Sequence, residues 1–240
     1  MATKNRKGPA EPDSANVLAE GGESRLAPGL RLQILTTEHW SLLSTRSLSW
    51  NEAFSRATMF LSVLSGAVVA LALVAQATGF DEGFTTFAIL ILPVVLFVGV
   101  ATFMRLVAIN REDVGWVVGM NLLRHAYLAA APELRPYFVT GSTDDEAGIM
   151  ATFGARPGPG SFAHELVTTP GVIAVVDGVI AGVLAAILTM NAGLDDVAAI
   201  GSAIVVGAVT VGLQLLYQYR VAVAPRAEGR ARFPEPPTEA

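Results

Sequence analysis

The chain has 240 residues, 52% hydrophobic and only 15% charged, with a net charge of −5 and a mean hydropathy of +0.51. Soluble domains average about 25% charged residues; here the excess of Ala, Val, Leu and Gly falls in a few blocks, which marks membrane segments and not a larger core. The acidic balance, with no basic domain, excludes a nucleic-acid partner, and the lack of cysteine excludes disulfide frameworks, thiolate metal sites and cysteine nucleophiles.

Residues 1–29 mix Pro, Gly, Glu and Ala without an apolar run. That composition predicts a disordered cytoplasmic arm and no cleaved secretory signal. The stretch "LRLQILTTEHWSLLSTRSLSWNEAFSR" follows. At about 100° per residue it places Leu32, Leu35, Leu42, Leu43, Trp50 and Phe54 in one sector and Arg31, Glu38, Glu52 and Arg56 opposite. This reads as an amphipathic helix leading into the membrane. His39 and Arg46 fall on its apolar sector, where a polar pair could set register against a second helix.

Four runs are long enough to cross about 30 Å of hydrocarbon, which takes about 20 helical residues. They are Ala57–Ala77, Phe84–Met104, Pro170–Met190 and Val197–Tyr217. The links "TGFDEG" and "NAGLDD" join them as two hairpins, with Asp81 and Glu82 in one link and Asp195 and Asp196 in the other. Neither link contains Lys or Arg. The positive-inside bias then places both termini and the middle segment in the cytoplasm, and the protein in the plasma membrane. Ser62, Gly66 and Ala70 form a small-residue strip on the first span, Pro93 is expected to kink the second, and Arg105 is expected to reach lipid phosphates from the second span's edge.

After the second span, Val107, Val114, Val118, Leu122 and Ala126 repeat at helical spacing until Pro132 and Pro136. Two flanks of about 25 residues on one side of the bilayer predict an antiparallel cytoplasmic stalk, roughly 35–40 Å long. The alternative lays each flank flat on the inner leaflet, since Trp40, Trp50 and Trp116 suit an interface. Gly115 and Gly119 weaken the second arm. The first hairpin with its stalk thus covers 30–138. A loop over 139–169 follows, with a short helix capped by Thr143 and Glu146 and running to about Phe153; "GARPGPGS" breaks it. The second hairpin covers 170–219 and a cytoplasmic tail 220–240. The fold class is all-α: a four-span helical integral membrane protein.

The third span carries one acid, Asp177, roughly 10 Å deep, at an insertion cost on the order of 2.5–3.5 kcal/mol. Thr210 and Gln214 of the antiparallel fourth span come to similar depth, one turn apart. Beside Asp177, Gly178 and Gly182 make a GxxxG spacing that lets backbones approach. A protonated Asp177 would donate to Gln214 or Thr210 as an interhelical clasp. Alternatively it lines a proton or cation path, with Asp81, Glu82, Asp195 and Asp196 at its outer mouth, or it contacts another subunit.

The three histidines each adjoin a charge, in "EHW", "RHA" and "HEL", but none has two-ligand spacing, so no metal or cofactor is expected. No GxSxG, P-loop, HExxH or dinucleotide motif occurs, and no enzyme is expected. Two functions remain: a membrane scaffold or adaptor whose stalk binds itself or a cytoplasmic protein, or a small channel or transporter assembled as a homo-oligomer. The partners implied are the lipid bilayer, a second copy and a cytoplasmic protein.

Overall fold

A computed structural model describes residues 26–154, 168–223 and 232–233. Most of the expected arm over 1–29, the "GARPGPGS" break beyond its first glycine and most of the tail lie outside the described residues, as does His164. Among the described residues all regular structure is helical: α1 (Pro28–Thr78), α2 (Glu82–Ala130), a 3-10 turn (Pro132–Tyr137), α3 (Glu146–Phe153), α4 (Thr169–Asn191) and α5 (Asp196–Val223). Four of these, α1, α2, α4 and α5, are long and apolar enough to cross a membrane. By that measure this is a membrane protein.

Helix α1 is unbroken over 51 residues, roughly 75 Å at 1.5 Å per residue. Pro28 sits in its first turn, where a missing N–H costs nothing. Gly79 ends it at φ 74°, a left-handed conformation natural to glycine, with its N–H donating to Ala75 O. Asp81 caps α2 by accepting from the N–H groups of Gly83 and Phe84. That helix runs through Pro93 for 49 residues and stops before Pro132.

Contacts between α1 and α2 run in opposite chain order. Tyr127 Oη donates to Leu35 O at 2.9 Å, Leu42 packs at Gly119, Arg46 pairs with Asp113, Glu52 with Arg105, and Phe60 packs at Gly99. The face that α1 turns to its neighbours passes through His39, Arg46, Ala53, Phe60 and Ala67, each seven residues apart. This is the repeat that keeps one helix face on a partner over many turns.

That face differs from the sector read from hydrophobicity. Leu32, Leu43 and Phe54 are exposed, while Glu52, expected on the far side, reaches Arg105. The buried face of α2 is likewise rotated: it includes Asp113, Val117, Met120 and Asn121 rather than Val114, Val118 and Leu122. Both differences have one cause. Polar side chains that find partners across the seam can be buried, so polarity alone misplaces the face.

Helix α2 is the centre of the bundle and touches every other helix. Phe60, Val95, Phe103, Leu106, Ile109 and Ile173 form the core between α1, α2 and α4. Helices α4 and α5 meet through small residues on both sides. A Cβ on Gly182 would lie 2.7 Å from Ala203 O, and one on Gly207 would lie 2.9 Å from Gly178 O. The GxxxG of α4 therefore has a counterpart in Ala203 and Gly207 of α5, which permits close backbone approach. The hydroxyls of Thr189 and Ser202 join the same two helices at 2.8 Å. The strip Ser62, Gly66 and Ala70 makes no such contact; Gly66 faces open space.

Helix α3 begins differently from expectation. Asp145, not Thr143, is its N-cap, accepting from Gly148 N at 2.9 Å. Thr143 instead donates its hydroxyl to the Asp145 carboxylate. The helix ends after Phe153 at Gly154, which is left-handed at φ 67°.

Candidate functional site

The buried carboxylate sits where three helices converge. Asp177 on α4 is fully buried and touches Gly99 of α2, whose missing side chain leaves the space that Oδ1 occupies. On the other side Gln214 of α5, nearly buried, donates from Nε2 to Asp177 Oδ2 at 2.8 Å. Thr210 does not join them. Its hydroxyl donates to Val206 O of its own helix at 2.8 Å, the usual retreat of a threonine within a helix. Among the described residues, Asp177 Oδ1 and Gln214 Oε1 have no hydrogen-bond partner. The site is therefore one carboxyl and one amide, without nucleophile or second acid. It can hold α4 to α5 and carry a proton.

A second polar group lies along α1 and α2, beyond their most apolar stretches. Arg46 donates from Nε and Nη2 to the two oxygens of Asp113 at 2.6 and 3.1 Å. Asp113 is buried and Arg46 three-quarters buried, and the guanidinium also stands over the Phe153 ring. This forked geometry is the strong form of a charged hydrogen bond. Arg46 thus pairs with Asp113 and not with His39. His39 stacks on Tyr127 with ring centroids 5.8 Å apart. Burial, with Arg124 nearby, holds His39 below its ordinary pKa.

Asn121, fully buried, fastens α3 to α2. Its Nδ2 donates to Thr143 O, and its Oδ1 accepts from Arg124 and lies 2.8 Å from the Thr152 hydroxyl. All its hydrogen-bonding groups are used but one N–H, which explains a full burial that its type would otherwise forbid. Burial and then the charge of Arg46 hold Arg124 below its usual value.

Arg105 takes protein partners where lipid phosphates were expected. It pairs with both oxygens of Glu52 at 2.9 Å and with Glu112 at 2.8 Å. Arg56 adds a 2.8 Å bond to Glu52. The hydrogen bonds from Arg105 and Arg56 lower the Glu52 pKa to about 2; Arg105 is raised in turn, first by Glu52.

The link acids act as helix starts. Asp81 caps α2, and its bond from Phe84 N, with the others, lowers its pKa. Asp195 accepts from Ala198 N at the start of α5, while Glu82 and Asp196 occupy first turns, where acids complement the helix dipole. Among the described residues no three His, Cys, Asp or Glu side chains gather as a metal site would require. No protein-family model, curated protein or solved structure matches the chain.

Proposed function

We propose that the protein is a non-catalytic scaffold or adaptor of the cytoplasmic membrane. Two transmembrane hairpins anchor it, and the extended halves of α1 and α2 form a cytoplasmic stalk that binds itself or a protein partner. The carrying observation is that α1 and α2 remain paired well beyond their apolar stretches, through Glu52–Arg105, Arg46–Asp113 and Leu35–Tyr127. Continuity of α1 supports a stalk over a flank lying on the leaflet, because an unbroken helix cannot both cross a bilayer and lie in its plane. The outward stalk face carries Trp40 and Leu48, 65% and 69% exposed, a surface suited to a partner. The absence of Lys and Arg from both links supports cytoplasmic termini.

One observation favours a second reading, a proton or cation conductor assembled from several copies. The unpartnered oxygens of Asp177 and Gln214 are where water would bind.

Two measurements separate the readings. With a photo-crosslinking residue at Trp40 or Leu48 in living cells, the scaffold gives a discrete adduct, with a second copy or one partner. In proteoliposomes it gives no proton flux above empty vesicles. Flux abolished by Asp177→Asn, or absence of any stalk adduct, overturns the scaffold. A reporter placed between Gly79 and Gly83 tests topology, and a cytoplasmic signal there refutes it.

A further inference from the structure

Two residues of the tail, Arg232 and Phe233, lie against the segment between the 3-10 turn and α3. The main-chain N–H of Arg232 donates to Asp144 Oδ2 at 2.7 Å, and that of Phe233 donates to Asp144 Oδ1 at 2.8 Å. The Phe233 ring stacks on His125 of α2, with centroids 4.2 Å apart and planes 20° from parallel. One carboxylate holding two successive amides, beside an aromatic platform, recognises a peptide main chain together with an aromatic side chain.

We propose that Asp144 and His125 form a binding notch for a short peptide containing an aromatic residue, and that the chain's own tail around Phe233 is its resident ligand. Two features fit the role. Charge-assisted bonds to a carboxylate are short and about twice as strong as neutral ones. Only eight residues separate Val223 from Arg232, and a connection this short gives a local concentration of about millimolar. A weak intramolecular contact therefore stays occupied, yet a free segment of the same chemistry at millimolar concentration can displace it. The notch fastens the end of α5 to the α2–α3 region, beyond the contacts the helices make with one another.

The test uses the full chain carrying a fluorine label on the Phe233 ring. Its resonance is expected away from that of a labelled free peptide of residues 228–238. Asp144→Ala should move it towards the free position by lowering the docking equilibrium constant about tenfold, the loss expected for a bond to a charged group, and His125→Ala should move it the same way through loss of the ring stack. Unlabelled peptide at several millimolar should do the same in the unsubstituted protein. Asp144 lies between elements, and His125→Ala provides an independent check should the first variant misfold. A resonance already at the free position, or one unmoved by both substitutions or by the competing peptide, overturns the proposal.

Discussion

Gly99 of α2 and Asp177 of α4 fit together with no room for a side chain between them. A methyl group at position 99 would overlap the Asp177 carboxylate and come within 2.9 Å of Phe60 Cε2. Gly99→Ala is therefore expected to destabilise the bundle by about 1–3 kcal/mol, the usual range for overpacking. Gly66→Ala, where a Cβ meets nothing within 4 Å, should instead leave stability unchanged or raise it by up to about 1 kcal/mol. Unfolding of both variants in mixed micelles measures the difference; equal stabilities would show that α2 and α4 do not meet at Gly99.

Among the described residues, Gln214 is the only group that hydrogen-bonds the Asp177 carboxyl. Gln214→Leu leaves a buried carboxyl without a partner, which costs about 1–3 kcal/mol. Asp177→Asn keeps an oxygen for the Gln214 amide to reach and should cost less than Gln214→Leu. A double-mutant cycle with Asp177→Leu and Gln214→Leu should return a coupling of about 0.5–2 kcal/mol. A coupling of zero contradicts the clasp.

Removing Asp113 strands Arg46 in a three-quarters buried position. Loss of one partner from a fully buried pair costs about 3–5 kcal/mol; the access water has to Arg46 places Asp113→Ala below that, at about 1–3 kcal/mol. The double variant Arg46→Leu with Asp113→Leu should recover most of the loss, because no charge is then left behind. Amide exchange over 39–50 and 109–121 reports the effect locally. If the single variant exchanges like the unsubstituted protein, the pair has no part in holding the helices.

Glu52 should titrate near 2 where an isolated glutamate titrates near 4.5. Its folded-state pKa lies below the unfolded value, so its contribution is present above about 4.5 and is lost as pH falls towards 2. Pairing of α1 and α2 near Arg105 should loosen over that window. A carboxyl-carbon NMR titration reads it directly, and Arg105→Gln should move the midpoint upward. A midpoint near 4.5 in the unsubstituted protein refutes the ion-pair cluster.

The four long apolar helices were legible because hydropathy over 20 residues is a strong and additive signal. Gln214 as a neighbour of Asp177 was also legible, since antiparallel helices bring equal depths together, but the amide donates and the carboxyl accepts, the reverse of the expected direction. Thr210 was not distinguished from Gln214, because a short hydroxyl can satisfy itself on its own helix and an amide on a longer stem reaches across. The polar seam was largely illegible. His39 and Arg46 stood out as polar residues on an apolar sector, but nothing beside Asp113 or Asn121 in the sequence marks either for burial. Nothing local to "REDVG" says that its aspartate meets an arginine 67 positions earlier. Gly99 carried no signal either, because its small size gains a purpose only from neighbours on other helices, the Asp177 carboxylate and the Phe60 ring. Asp145 and Thr143 are both favoured cap residues, so the sequence does not choose between them.

The uninterrupted course of α1 has a mechanical consequence. Between Pro28 and Thr78 there is neither proline nor a helix break, whereas α2 contains Pro93, Gly99, Gly115 and Gly119. The first behaves as a stiff lever and the second as the compliant member beside it. A torque applied near Leu35 is therefore carried along about 65 Å of unbroken helix to the far end at Gly79.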